Sequence, residues 1–138
     1  MRVVVDTSVI AAALTTPNPH SASPVVLAAA AAGAIQLVIT DELEAEYRRA
    51  VNYPEVVRYA AKVDRLVFVS VIVAAAERVT AIPSRGSVPS DPGDDMVVAA
   101  ALGGNAEFVV TLDKDLLRLR TVGGIRLLKP GDFLRELP

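Results

Sequence analysis

Short apolar runs alternate with longer amphipathic or alanine-rich segments along the whole chain. The runs are rich in valine and isoleucine and have no polar face, which predicts strands buried on both sides of a sheet. They lie at residues 2–5, 35–39, 107–111 and 124–128. The segments between them are long enough for helical crossovers. We therefore expect an α/β fold with a parallel sheet and helices on both of its faces.

Capping signals predict where several helices begin and end. Ser23 followed by Pro24 suits a helix start, because serine caps well and proline fits the first helical position. Gly33 suits the end of that helix, and Thr40 suits the cap of the next one. Helices are predicted at 7–14, 24–32, 41–51, 55–76, 94–102, 113–119 and 130–134, with a proline-rich loop at 83–93.

Composition limits the possible chemistry. The chain has 138 residues, which predicts a single domain over 1–138. It has no cysteine, so disulfide scaffolds, thiolate zinc sites and cysteine nucleophiles are excluded. Its only histidine, His20, lies in a proline-rich segment and is expected to be solvated, so a histidine general base is not expected.

Charge and hydropathy limit how the protein could bind nucleic acid and where in the cell it is expected. The chain has 14 Lys+Arg and 16 Asp+Glu, which gives a net charge of −2. A protein that holds nucleic acid by charge alone would be expected to have a surplus of basic residues instead. A nucleic-acid enzyme with a metal-filled acidic site is still compatible, because bound cations offset carboxylates. No secretory signal is recognised, and the longest apolar run, 66–76, is too short to span a bilayer. A cytoplasmic protein without a membrane segment is expected.

Acidic residues recur where predicted strands end. Parallel strands place their carboxyl ends at one edge of the sheet, where ligands bind, so these acids could converge there. Two carboxylates about 4 Å apart repel by roughly 4 kcal/mol at an effective dielectric near 20, so convergence favours a bound cation. Oxygen ligands suit Mg²⁺ or Mn²⁺ better than zinc. The acids are Asp6, then Asp41, Glu42, Glu44 and Glu46, then Asp91, Asp94 and Asp95, and finally Asp113 and Asp115.

A purely structural interpretation competes with this one. Acids are common helix caps and are favoured in first helical turns, which could account for Asp94 or Asp113 individually. Asp6 is harder to explain in this way because it directly follows a strongly buried strand. Asp95 opens a helix with no polar face, where a carboxylate needs a partner. We therefore favour a functional role for Asp6 and Asp95.

Taken together, these segments resemble the PIN domain, in particular its VapC-like bacterial toxin–antitoxin branch. The resemblance covers nearly the whole chain, and its strength comes from five motifs in the right order and spacing. Residues 3–10 resemble the opening strand and first acid of the family, and residues 40–47 its glutamate motif. The other three motifs are at 91–101, 109–117 and 123–134.

This resemblance implies a three-layer α/β/α sandwich with a central, mostly parallel sheet. It also implies a Mg²⁺- or Mn²⁺-dependent endoribonuclease acting on RNA, a homodimer, and a small antitoxin that blocks the site. Asp6, Glu46, Asp95 and Asp113 would form the catalytic site, with Asp6, Asp95 and Asp113 as direct metal ligands. The implied supporting residues are Ser8, Asp94, Thr111 and Asp115.

Several alternatives stay open at this level. Spacing does not choose between Glu44 and Glu46, and relatives differ over Asp113 and Asp115. Another enzyme class, the aspartate-based phosphotransfer proteins, also places aspartate at strand ends, but Asp6 lacks the neighbouring acid that these proteins usually carry. A PIN scaffold that only binds is a further alternative. The basic residues near the acidic motifs could contact phosphates or simply be solvated: Arg48, Arg49, Lys114, Arg118 and Arg120.

Overall fold

The computed structural model describes residues 1–83 and 92–138, with side chains in the second range from Met96 onward. The described residues form a six-stranded sheet of order β3-β2-β1-β4-β6-β5. All neighbouring strands are parallel except β5 and β6, which are antiparallel. The strands are β1 (Arg2–Val5), β2 (Gln36–Ile39), β3 (Glu77–Arg78), β4 (Phe108–Val110), β5 (Thr121–Val122) and β6 (Ile125–Leu128).

The four predicted strands are confirmed, and their buried composition explains their place in the sheet. Val3, Val4 and Val5 are fully buried, as expected for a central parallel strand covered on both faces. The register pairs Val3 with Phe108 and Val5 with Val110, so β1 and β4 end side by side. This pairing matters for the site described below.

Two short strands were not predicted. The exposed strand β3 has only two residues, too few for any periodicity. Strand β5 forms a hairpin with β6 through Gly123 and Gly124, whose φ angles are +55° and +83°. Such a pair of positive φ angles is typical of tight hairpin turns. The Gly-Gly pair was therefore a usable signal that the sequence analysis did not apply.

Eight helices lie within the described residues. Thr40 caps α3 as predicted, because its side chain accepts a hydrogen bond from the Leu43 backbone N–H. Gly33 follows α2 with a φ of +78°, a conformation that ends a helix. The helices are α1 (Thr7–Thr15), α2 (Ala22–Ala31), α3 (Asp41–Ala50), α4 (Pro54–Tyr59), α5 (Lys62–Ala75), α6 (Pro92–Gly103), α7 (Lys114–Leu119) and α8 (Pro130–Leu134).

Two predicted helix starts are wrong by two residues. Helix α2 begins at Ala22 with Ser21 at the capping position, so Ser23 is not the cap. Pro24 is tolerated at the third helical position because the N–H groups of a first turn have no partner within the helix. Helix α6 begins at Pro92 rather than at Asp94, in keeping with the preference of proline for the first helical position.

The predicted helix at 55–76 is broken into α4 and α5. Ala60 and Ala61 are extended at the break. The buried Arg65 guanidinium donates hydrogen bonds to the carbonyl oxygens of Ala60 and Val51 and to Asn52 Oδ1. These bonds compensate for the helical ones lost at the break, a tertiary effect that the local pattern could not indicate.

Helices cover both faces of the sheet, which confirms the predicted α/β/α architecture. Helix α6 packs on β1, β2 and β4, and α7 packs on β6, whereas α1 and α2 pack with each other and α2 also packs with α5 and α8. Right-handed crossovers require these two groups to lie on opposite faces. In the described part of the chain, no helix has the length and apolar character needed to cross a membrane.

Candidate active site at the carboxyl edge of the sheet

The strand order brings two of the predicted acids together. Strand β1 lies between β2, which follows it in the chain, and β4, which returns from the far edge, so the order reverses between β1 and β4. Open parallel sheets bind ligands at such a switch point. Asp6 follows β1 and Thr111 follows β4 here, and the Asp6 backbone N–H donates to the Val110 carbonyl oxygen at 2.9 Å.

Asp6 has a carboxylate that is buried and held by hydroxyl groups. Its residue exposure is 5%. Oδ2 accepts hydrogen bonds from Ser8 Oγ at 2.7 Å and from Thr111 Oγ1 at 2.8 Å. Oδ1 has only a long contact with Thr7 Oγ1, at 3.5 Å, which is the limit for a hydrogen bond. One oxygen is thus fully used by the protein, while the other keeps most of its acceptor capacity.

The two hydroxyls that hold Asp6 are themselves oriented by the backbone after β4. Ser8 Oγ accepts from the Leu112 N–H, and Thr111 Oγ1 accepts from the Asp113 N–H, both at 3.0 Å. Each hydroxyl has a single proton to donate, and that proton goes to Asp6. The loop that carries Asp113 is therefore tied to Asp6 through two hydroxyl bridges.

The two carboxylate oxygens of Asp113 also differ in their hydrogen bonds. Oδ1 accepts from the Asp115 N–H at 2.7 Å and from the Leu116 N–H at 3.4 Å, capping α7. Oδ2 has no hydrogen-bond partner among the described residues. Asp115 differs because it forms an ion pair with Arg118 at 2.9 Å. Of this pair, Asp113 therefore has the carboxylate without a cation.

The two glutamates of α3 occupy different surroundings. Glu44 pairs with Arg78 and Arg48, and these two arginines hold the pKa of its carboxyl below its usual range. Glu46 pairs with one exposed arginine, Arg49. The charges of Glu46 and Asp6 both act on Tyr53, as described below. The ion pairs of Glu44 argue against it as a free ligand.

Two tyrosines near the site were missed in the sequence analysis. The fully buried Tyr47 donates its hydroxyl hydrogen to the Val5 carbonyl oxygen, which fastens α3 to the end of β1. Burial, with the charge of Asp6 as a second cause, raises the pKa of Tyr47 far above its usual value. Tyr53 is half-buried, and its pKa is raised by burial and then by the charge of Glu46, with Asp6 a smaller cause. The apolar spacing of α3 signals a buried Tyr47, but it does not indicate where its hydroxyl points.

Most of the basic residues that flank the acids form ion pairs. Arg48, Arg49 and Arg118 each pair with an acid on their own helix. Lys114 and Arg120 form no ion pair within residues 1–83 and 96–138. His20 is exposed, as predicted.

The structure describes only part of the predicted third motif, residues 91–101. Asp91 lies outside the described residues. Asp94 and Asp95 belong to the first turn of α6 by their backbone, but their side chains are outside the described set. Among the described side chains, no group of three or more carboxylates or histidines is arranged to hold a metal ion. Asp6, Glu46 and Asp113 therefore do not make such a group by themselves.

A comparison with protein-family models identifies the family of the chain. The model described as the PIN domain matches residues 2–115, a span from β1 into the first turn of α7. The chain belongs to the PIN domain family. PIN domains are generally nucleases. No curated protein sequence matches the chain significantly.

Proposed function

We propose that this PIN domain is a Mg²⁺- or Mn²⁺-dependent endoribonuclease that hydrolyses phosphodiester bonds of RNA. The observation that carries the proposal is the Asp6 carboxylate, which is 5% exposed and forms no ion pair with any described lysine or arginine. A buried carboxylate without a cation costs several kcal/mol. A divalent cation would remove that cost.

The described donors fit such a cation. Asp6 Oδ1 and Asp113 Oδ2 are carboxylate oxygens with little or no use inside the protein. Hard divalent cations prefer oxygen ligands of this kind and retain water molecules in the remaining positions. We propose Asp6, Asp95 and Asp113 as the direct ligands, with Asp94 nearby at the start of α6. A bound cation would supply an activated water and stabilise charge on the attacked phosphate.

The other residues of the site have positioning roles. Ser8 and Thr111 keep the Asp6 carboxylate in one orientation by binding Oδ2. Tyr47 holds α3 against the end of β1, which fixes the helix that carries Glu46. We propose that Glu46 completes the acidic set by orienting a water, with its Arg49 partner available to meet the phosphate backbone. Asp115 supports the start of α7 through its pair with Arg118.

The biological setting proposed for this enzyme is a toxin–antitoxin pair. It follows from the VapC-like order of the motifs, which implies a homodimer and a small antitoxin partner that covers the site. A catalytically inactive PIN scaffold is the alternative. The unpaired buried carboxylate disfavours it, because a scaffold that only binds gains nothing from that cost.

The proposal is tested by RNA cleavage with purified protein. A panel of structured and single-stranded RNAs is incubated with Mg²⁺, with Mn²⁺ and with EDTA. We expect cleavage with either metal and none with EDTA. Asp6→Asn keeps the size of the side chain and one acceptor oxygen but removes its charge. It should lower the cleavage rate by about 10²-fold or more, the scale typical of losing one electrostatic group in an active site.

Glu77→Gln is the matched control, because Glu77 is an exposed acid that pairs with Arg2 away from the site. This variant should cleave at the wild-type rate. Equal rates for wild type and Asp6→Asn would refute the proposed site. Absence of cleavage across the panel under all metal conditions would favour the scaffold alternative.

A further inference from the structure

A cavity of about 280 Å³ lies beside the candidate active site. Its walls include Ala12 of α1, Ala22 of α2, Leu112 and Pro130, and Ser23 and Lys129 also line it. The surface of the cavity is mainly apolar, and the polar residues Thr16, Ser21 and Asp132 also line it beside Ser23 and Lys129. Leu112 connects the cavity to the site, since its backbone N–H donates to Ser8, which in turn binds Asp6.

The N-terminus of α2 opens into this cavity without a cap. Ser21 occupies the capping position, but its hydroxyl donates to Asn18 O at 2.7 Å and contacts Thr16 Oγ1 instead of the helix. The backbone N–H groups of Ala22 and Ser23 have no acceptor within the described residues. The N–H groups of a first helical turn have no acceptor within the helix, so they are available to donate hydrogen bonds to a ligand.

Ser23 supplies a second and independent observation. The residue is 8% exposed, and its hydroxyl makes no hydrogen bond with any described residue. Buried polar groups are nearly always paired, so an unpaired one calls for an explanation. Because this hydroxyl lines the cavity, a ligand group that enters there would satisfy it.

We propose that this cavity is a slot for one nucleobase of the RNA substrate, next to the phosphodiester that is cleaved. The inference rests on the proposed nuclease function. Apolar walls suit the flat faces of a base, and the donors of Ser23 and the α2 start suit its acceptor edge. Single-stranded RNA is usually recognised in this way, with bases turned out of the stack into pockets.

The donor set also discriminates between bases. A carbonyl oxygen accepts two hydrogen bonds, whereas a ring nitrogen accepts one. Guanine, cytosine and uracil carry carbonyl oxygens and adenine does not. The slot should therefore prefer those three bases over adenine. A phosphate is a poorer occupant because the surface of the cavity is mainly apolar and the opposite charges of Lys129 and Asp132, which both line it, offset each other.

Binding is tested without cleavage by nuclear magnetic resonance. Isotope-labelled protein is titrated with guanosine, cytidine, uridine and adenosine monophosphates and with ribose phosphate, in EDTA. We expect shifts of the Ala22, Ser23 and Leu112 amide signals with the first three nucleotides. Adenosine monophosphate should shift them less, and ribose phosphate should leave them unchanged. Equal shifts with ribose phosphate would show a phosphate site, and no shift at these amides would show no site; either result overturns the proposal.

Two variants sharpen the test. Ser23→Ala removes one hydrogen-bond donor and should weaken guanosine, cytidine and uridine monophosphate binding about fivefold to tenfold. Gly131 lines the cavity at a point where an added Cβ would meet no atom within 4 Å. Gly131→Leu should therefore fill the slot without unfolding the chain and abolish these shifts. Gly131→Ala and the exposed Ser70→Ala serve as controls, and unchanged spectra elsewhere report the fold.

Cleavage separates failure of this inference from failure of the proposed function. RNAs that differ in the base beside the cleaved bond are compared for wild type, Ser23→Ala and Gly131→Leu. We expect wild type to disfavour adenine at that position and Gly131→Leu to lose the preference. Cleavage with the same base preference in all three proteins would refute the slot but keep the nuclease. Base binding by a protein that cleaves no RNA would refute the nuclease but keep the slot.

Discussion

Two acids at the amino edge of the sheet are paired with arginines, whereas Asp6 at the carboxyl edge is not paired with any described arginine or lysine. At the amino edge, Arg2 of β1 pairs with Glu77, and Arg126 of β6 pairs with Glu136, both near the surface. At the carboxyl edge, Asp6 is buried and is held only by hydroxyl groups. The first arrangement is electrostatically complete within the chain. The second leaves a negative charge to be neutralised from outside.

This difference separates acids whose charge is balanced by an arginine of the chain from an acid whose charge is not. Exposed ion pairs contribute little to stability and tolerate substitution. A buried, unpaired charge is costly, and proteins tend to keep such groups where function requires them. The same criterion separates Asp115, which has an arginine partner, from Asp113, which has none among the described residues. It does not separate Glu44 from Glu46, because both form ion pairs with arginines.

The largest expected effect concerns metal-dependent stability. In wild type, Mg²⁺ or Mn²⁺ at 100 times its dissociation constant should stabilise the fold by about 2.7 kcal/mol. Asp6→Asn should lose this response and should be more stable than wild type in EDTA, because the buried charge is gone. Thermal unfolding with and without metal measures both quantities. Glu77→Gln should respond like wild type, and a full metal response in Asp6→Asn would break the comparison of the two edges.

The second-largest effect is expected when a hydroxyl bridge to Asp6 is removed. Thr111→Val has nearly the same shape but removes the donor to Asp6 Oδ2 and the acceptor for the Asp113 N–H. Asp6 Oδ2 would keep only its bond from Ser8, and the Asp113 N–H would lose its acceptor, which should lower the free energy of unfolding by about 1–3 kcal/mol. Chemical denaturation measures the loss. The exposed Thr121 of β5 provides the control Thr121→Val, and equal stability of the two variants would contradict the bridging role.

A smaller effect is expected at the buried tyrosine. Tyr47→Phe keeps the ring but removes the hydrogen bond to the Val5 carbonyl oxygen, which should cost about 1 kcal/mol. Denaturant unfolding beside Tyr59→Phe, whose side chain is exposed, measures the difference. A loss of the same size in the control would show that the hydrogen bond at the end of β1 is not the cause.

The smallest effect is the pH dependence of an exposed ion pair. The folded state holds the pKa of Glu44 below its usual range, mainly through the Arg78 hydrogen bond. Its contribution to stability is therefore present above the ordinary glutamate pKa and is lost as the pH falls through the lowered value. Glu44→Gln should have a slightly lower melting temperature than wild type at neutral pH, and the gap should close in acid. Glu42→Gln, which changes an acid without an ion pair, should show no such trend.

Much of the fold was predictable because local and global signals agree. Four apolar runs form the central strands, and the caps at Thr40 and Gly33 lie where their chemistry predicts. The failures share a physical cause. The break between α4 and α5 depends on Arg65 reaching distant carbonyls, and β3 is too short to have a pattern. Such features are stabilised by contacts that a local window does not contain.

The site was predictable in part. The order of the acidic motifs indicated Asp6 and Asp113, and the strand order brings their segments to the same edge. The roles assigned to the individual acids remain predictions, including those of Asp95 and Asp94. Tyr47 was missed because an aromatic residue on an apolar stripe is ordinarily core, and only the fold shows its hydroxyl at the end of β1.

The sequence by itself determined the alternation of buried strands and helices, the absence of cysteine chemistry and the set of acids that follow the strands. These properties are local, because periodicity, capping and residue type act over a few positions along the chain. Only the tertiary structure decided which acid is buried among hydroxyl groups and which acids stay near the surface beside an arginine. That distinction depends on residues more than a hundred positions apart, such as Asp6 and Thr111, which meet only when β1 and β4 pair.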